Sequence, residues 1–116
     1  MTHKLHTMKP LFRALQQLQE KDSKFPINAA LTLMYVGQHE PCLKRDMEIT
    51  LGFNTACGSR NTDYLSKINR LRQPGLNLIN KVEDPDDRRQ TILTLTPEGK
   101  EFYTLLTNAY VLDRSG

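Results

Sequence analysis

The chain has 116 residues, 38% of them apolar and 25% charged, which fits one small globular domain and excludes a disordered or low-complexity protein. No run is long and apolar enough for a bilayer, and the start, MTHKLHTMKPLF, lacks the apolar core of a secretion signal. The net charge of +3 permits a polyanionic partner without requiring one; Cys42 and Cys57 are too few for a disulfide framework, so a reduced cytoplasmic protein is expected.

The first predicted helix begins at Pro10, which suits a first turn, and carries Leu11, Ala14, Leu15 and Leu18 at helical spacing. It fades in the polar stretch from Glu20 to Lys24. A second helix follows Pro26. Its apolar stripe is Ile27, Ala30, Leu31, Met34 and Tyr35, widened by Ala29, Leu33 and Val36, so it reads as buried on most sides, and Gly37 marks its end.

A third piece runs from Pro41 to Gly52, with Leu43, Met47 and Leu51 on one face and Lys44, Arg45, Asp46 and Glu48 outside. A fourth helix starts at Asn54 or Thr55, either one a sound N-cap, and continues to about Leu65. It is polar and poor in apolar residues. The connector KINRLRQPG adds three cations and no acid. After Gly75 the period becomes alternating. Leu76, Leu78 and Val82 can share one strand face, Asn77 and Lys81 the other, and Leu93 and Leu95 share a face of the second strand. Asp84-Pro85-Asp86-Asp87 is the turn between them. Thr96-Pro97-Glu98 opens a last helix with a cap, a first-turn proline and an acid that complements the helix dipole. Its stripe is Phe102, Leu105, Leu106 and Ala109.

Catalysis finds no candidate residues here. His3, His6 and His39 have no ligand spacing with the cysteines, so no metal site is expected. Asp84, Asp86 and Asp87 lack the later Gly and Glu of a calcium loop. There is no glycine-rich phosphate loop and no nucleophile elbow. A non-enzyme without cofactor is expected.

The order of three or four helices, a hairpin and a helix is the winged helix-turn-helix layout, mainly α with a small β-hairpin. The run Asp87-Arg88-Arg89-Gln90-Thr91-Ile92-Leu93-Thr94-Leu95-Thr96-Pro97-Glu98-Gly99 resembles the wing signature of the MarR family of transcription regulators. Asp87, Arg89, Leu93, Leu95, Thr96 and Gly99 fit its pattern. Ile27 to Val36 resembles the helix before the family's helix-turn-helix, Lys44 to Leu51 its first helix, and Asn54 to Leu65 its recognition helix. The step from Leu65 to Gly75 is longer than usual, so an alternative alignment puts the recognition helix at Ser59 to Leu71. Only one helix fits after Thr96, where the family has a longer C-terminal pair.

The resemblance implies one winged-helix domain with a DNA-binding core at 26–95, a wing at 76–95, and pairing of two protomers through helices at 10–22 and 97–112. The implied function is specific binding of double-stranded DNA as a dimeric transcriptional repressor. Membrane contact is not expected, and no small-molecule effector is indicated. Thr55, Ser59, Arg60 and Asn61 read either as a solvated helix start or as major-groove contacts; Arg can read guanine and Asn adenine. Lys67, Arg70 and Arg72 read as a solubilising loop or as phosphate clamps. By the resemblance Arg89 enters a minor groove, Asp87 orients its guanidinium, and Arg88 is a phosphate contact. Two other readings stay open: an accessory protein of a mobile element serving replication, partition or packaging, and a protein-interaction module that has lost DNA binding.

Overall fold

The computed structural model describes residues 2–67 and 73–115, with side chains from 8 to 67 and from 73 to 108. In chain order these form α1 (Thr2–Lys21), α2 (Ile27–His39), β1 (Cys42–Leu43), α3 (Lys44–Leu51), α4 (Thr55–Leu65), β2 (Ile79–Glu83), β3 (Thr91–Leu95) and α5 (Pro97–Ser115). This is the winged helix-turn-helix layout, with one strand more than the hairpin expected.

α1 starts at Thr2, so Pro10 lies inside the helix rather than at its first turn. Its φ is compatible with a helix, one backbone bond is lost, and the ring is buried. α2 likewise passes Gly37 and ends at His39. The Tyr103 ring of α5 occupies the place of the missing side chain, 2.4 Å from where a Cβ would stand. Gly37 thus serves close helix packing, not termination.

The core is aliphatic. Leu33, Val36, Met47, Leu65, Leu78, Ile79 and Leu93 are fully buried and come from α2, α3, α4 and the sheet. α2 is buried on most sides, with Ala29, Ala30, Thr32, Leu33 and Val36 buried and Met34 and Tyr35 half-buried, but Ile27 and Leu31 of the expected stripe are exposed. On α1 and α5, which pack together, Ala14, Leu18, Phe102 and Leu106 are buried, but Leu11, Leu15 and Leu105 remain exposed.

The sheet order is β1-β3-β2, all antiparallel. β1 pairs Cys42 with Leu93 and Leu43 with Ile92, which pulls Leu43 off the α3 face assigned to it. Leu93 and Leu95 are buried on one face of β3 as expected. The earlier alternation fails. Asn77 has φ 57, which breaks the extended chain, so Leu78 and Ile79 are both buried and Val82 is exposed.

α4 ends at Leu65 with Ser66 as C-cap, which overturns the alternative helix reaching Leu71. The returning chain hydrogen-bonds the end of α4: Gly75 N–H donates to the Lys67 carbonyl at 2.9 Å, Leu76 to Tyr64 at 3.1 Å, Asn77 to Ser66 at 3.2 Å, and Leu78 to Leu65 at 2.7 Å. Gly75 is required there, because a Cβ would sit 1.8 Å from the Ser66 carbonyl oxygen.

Candidate nucleic-acid interface

α3 and α4 meet across a three-residue turn. Gly52 takes φ 72 as the C-cap of α3, the left-handed geometry in which glycine is strain-free. Asn54 caps α4 by accepting the Cys57 N–H at 2.8 Å. The helices approach closely because Gly58 has no side chain; a Cβ there would lie 1.9 Å from Glu48 Oε2. Glu48 is buried and is met by Lys44 Nζ at 2.5 Å. Such a pair tolerates loss of neither partner, since the other would remain a buried charge.

The wing is tied to α4 at its base, where Lys81 Nζ of β2 meets Asp63 Oδ1 at 2.7 Å. Its tip is a compact turn. Asp84 N–H donates to the Gln90 carbonyl at 2.9 Å, and Asp86 N–H to Asp84 Oδ1 at 2.9 Å. Asp87 Oδ1 accepts the Arg89 N–H at 3.1 Å and Arg89 Nε at 3.2 Å. The Arg89 side chain bonds hold the Asp87 carboxyl below its usual range, helped by the Arg89 backbone N–H. The Arg89 side chain is 91% exposed. Arg89 is therefore aimed by Asp87 yet free to meet a partner.

A cleft of about 680 Å³ opens between the wing and the helix-turn-helix. Asp87, Arg89, Gln90 and Thr91 line one wall; Arg45, Ile49, Phe53, Asn54 and Thr55 line the other. Thr55 and Arg89, far apart in sequence, so share one surface. Arg60 is exposed on a second, shallower pocket with Cys57, Tyr64 and the start of α2. Ser59 is half-buried, and Lys67 and Arg88 are exposed. Arg70 and Arg72 lie outside the described residues.

Asn61 requires correction as a base reader. It is only 9% exposed, and its amide donates to the Cys57 carbonyl one turn back at 2.8 Å. A short amide at this spacing bonds its own helix in preference to solvent. Arg45 is a surface cation that sequence reasoning passed over. The available signal was its place in the first turn of α3, where a cation opposes the helix dipole and so calls for another reason to be there. Lys44 has that reason in Glu48. Ile49, 67% exposed on the same wall, is an apolar group facing the cleft.

Of the two thiols, Cys42 is pushed up by burial and by the nearby Asp46 and Glu40 carboxylates, which keeps it protonated and unreactive. Among the described residues no cluster of three or more His, Cys, Asp or Glu could hold a metal ion. No helix of the described residues is long and apolar enough to cross a membrane.

No protein-family model matches the chain, and no curated protein matches it. Solved structures do. A complex of S. aureus MepR with DNA superposes with a TM-score of 0.76 at 18% identity, over 97% of this chain and 85% of that one. The PcaV transcriptional regulator from Streptomyces coelicolor gives 0.65 at 16%, over 99% and 79%, and MarR gives 0.65 at 14%, over 99% and 80%. At these identities the likeness is one of fold.

Proposed function

We propose that this chain, which has the winged-helix fold of MarR and MepR, binds double-stranded DNA with sequence specificity as a dimeric transcriptional repressor that acts by occlusion. The observation that carries the reading is Arg89, held by Asp87 at the wing tip and pointed outward beside the N-terminus of α4. α4 would enter a major groove with Thr55, Ser59 and Arg60 leading, and Arg89 would reach the adjoining minor groove. Arg45, Lys67 and Arg88 suit phosphate contacts. Support comes also from MepR, which was solved on DNA. Selection of bound fragments from genomic DNA, followed by fluorescence anisotropy across a salt series, tests the reading. Affinity should fall steeply with salt, since phosphate contacts release counterions.

One observation favours a different reading, a protein-interaction module. The wing tip carries Glu83, Asp84, Asp86 and Asp87 against Arg88 and Arg89, a local balance that repels phosphate. Absence of salt-dependent duplex binding would decide for that alternative. Recovery of origin or partition sites rather than promoters would instead support an accessory DNA-binding role.

Arg60→Ala should reduce the ratio of specific to random binding, at about 1–3 kcal/mol for a lost base contact. Asn61→Ala should lower stability instead and leave that ratio unchanged, because its amide serves the helix. Competition binding against random duplex separates the two. Equal losses on both duplexes for Arg60→Ala would make Arg60 a phosphate contact.

The dimer would form on the outer face of α1 and α5. Met8, Leu11, Phe12 and Leu15 on α1 and Leu105 on α5 are exposed, Phe12 by 62%. An apolar face of this kind on a small domain marks an association surface. Phe12→Glu with Leu15→Glu should convert a dimer to a monomer in light scattering and weaken specific binding, since two half-sites no longer act together. A wild-type monomer at every concentration, one per duplex, would defeat it.

A further inference from the structure

Tyr64 stands on the last turn of α4, next to the wing-linked Asp63. Its hydroxyl donates to Asp22, which lies just past the end of α1, 42 residues earlier. Asp22 also accepts the Lys24 N–H at 3.0 Å, which shapes the turn into α2. The hydroxyl draws the Asp22 carboxyl below its usual range, while burial and the same bond push the phenol above its own. The ring meets Phe25 edge-on at 5.4 Å, Phe25 stacks on Phe102 of α5 at 6.4 Å, and Lys21 of α1 caps Phe102 at 5.7 Å. Adjacent residues of α4 are thus tied in two directions, Asp63 to the wing and Tyr64 to the α1–α5 pair.

We propose that the Tyr64–Asp22 hydrogen bond is a positioning joint: it sets the angle of α4 against α1 and α5, and through α4 it governs discrimination between DNA sequences. The inference rests on the DNA-binding reading above. The aromatic contacts supply packing, which is tolerant of rotation; the hydrogen bond supplies direction, since it weakens steeply with misalignment. A helix that must place side chains on base edges needs that restraint more than the fold does.

The test uses the full chain. Tyr64→Phe keeps the ring and removes the hydroxyl. Asp22→Ser keeps an acceptor for Lys24 but is too short for Tyr64. Asp22→Asn keeps both bonds, its carbonyl for Lys24 and its amide donating to the Tyr64 oxygen. The first two variants should lower the ratio of selected to random duplex affinity by about 2- to 30-fold, the range spanned by coupling through packed networks. The double variant should lose no more than either alone, and Asp22→Asn should restore most of the ratio. In the free protein, hydrogen exchange should rise across α4 and stay unchanged in α1 and α5. Additive losses, or an unchanged ratio in Tyr64→Phe, would overturn the joint. A wild-type protein that binds no duplex would overturn the DNA reading, and with it the role in discrimination. The hydrogen-exchange arm would still decide whether the bond holds α4.

Discussion

Gly99→Ala should destabilise the protein far more than a methyl group added at the solvent-facing Gly52. Gly99 sits in the first turn of α5, where a Cβ would stand 1.9 Å from the Leu78 carbonyl oxygen and 2.8 Å from its carbon. Both are backbone atoms, so no side chain can swing aside. The site is also fully engaged. Thr96 Oγ1 accepts the Gly99 N–H at 2.9 Å and donates to the Asn77 carbonyl at 2.7 Å, and the Thr96 N–H donates to the same Leu78 carbonyl at 3.1 Å. Relief of the clash would pull α5 from the segment that leads into the wing. Overpacking costs about 1–3 kcal/mol, and a backbone obstacle puts this case at the upper end. For a domain of this size that lowers the melting temperature by roughly 10 °C. Gly52→Ala is the control: its φ is 72 but nothing lies within 4 Å of the added carbon, so only the left-handed strain of about 1 kcal/mol remains. Equal melting temperatures for the two variants would refute the steric account.

That junction also explains why the wing motif was legible in the residues. Leu-Thr-x-x-Gly encodes a strand end, a cap and a close approach in five positions, each with a separate physical demand. α3 and α4 were legible for a similar reason: Gly52 and Asn54 are punctuation that local geometry requires. Where legibility failed, long-range packing had decided. β1 is two residues long and exists because β3 pairs with it, so no alternation could announce it. Gly37 looked like a helix end because the partner that needs its bareness, Tyr103, is 66 positions away. Ile27 and Leu31 looked buried because an apolar stripe does not say which of its edges meets the core. Asn61 looked like a surface reader because it is polar, yet its carbonyl partner was one turn away in its own helix. The Asp22–Tyr64 bond spans α1 to α4 and had no local signal.

Arg89→Ala is expected to give the largest loss in DNA binding with the fold intact. The side chain is exposed and its only described partner is Asp87, so truncation leaves no cavity and no buried orphan. Each lost charged contact costs about 1–3 kcal/mol, and a two-fold complex loses one from each wing. Arg89→Lys should recover only part of this. It restores charge but not the fork that Asp87 orients or the flat group that a narrow minor groove admits. Asp87→Ala should lose less than Arg89→Ala, since the cation survives and only its direction is given up. The pairing is stable toward base and sensitive to acid: a carboxyl held below its ordinary range stays ionised above that range and protonates only as pH falls through its lowered value. Asp87 should therefore stay ionised across neutral pH, and its titration should leave binding unchanged there. Anisotropy titrations on a selected duplex, with circular dichroism as the check on folding, provide the comparison. If Arg89→Ala binds as wild type while Arg60→Ala does not, the wing leaves the interface and α4 alone carries recognition. If neither matters, the acidic wing tip gains its meaning, and the surface belongs to a protein partner.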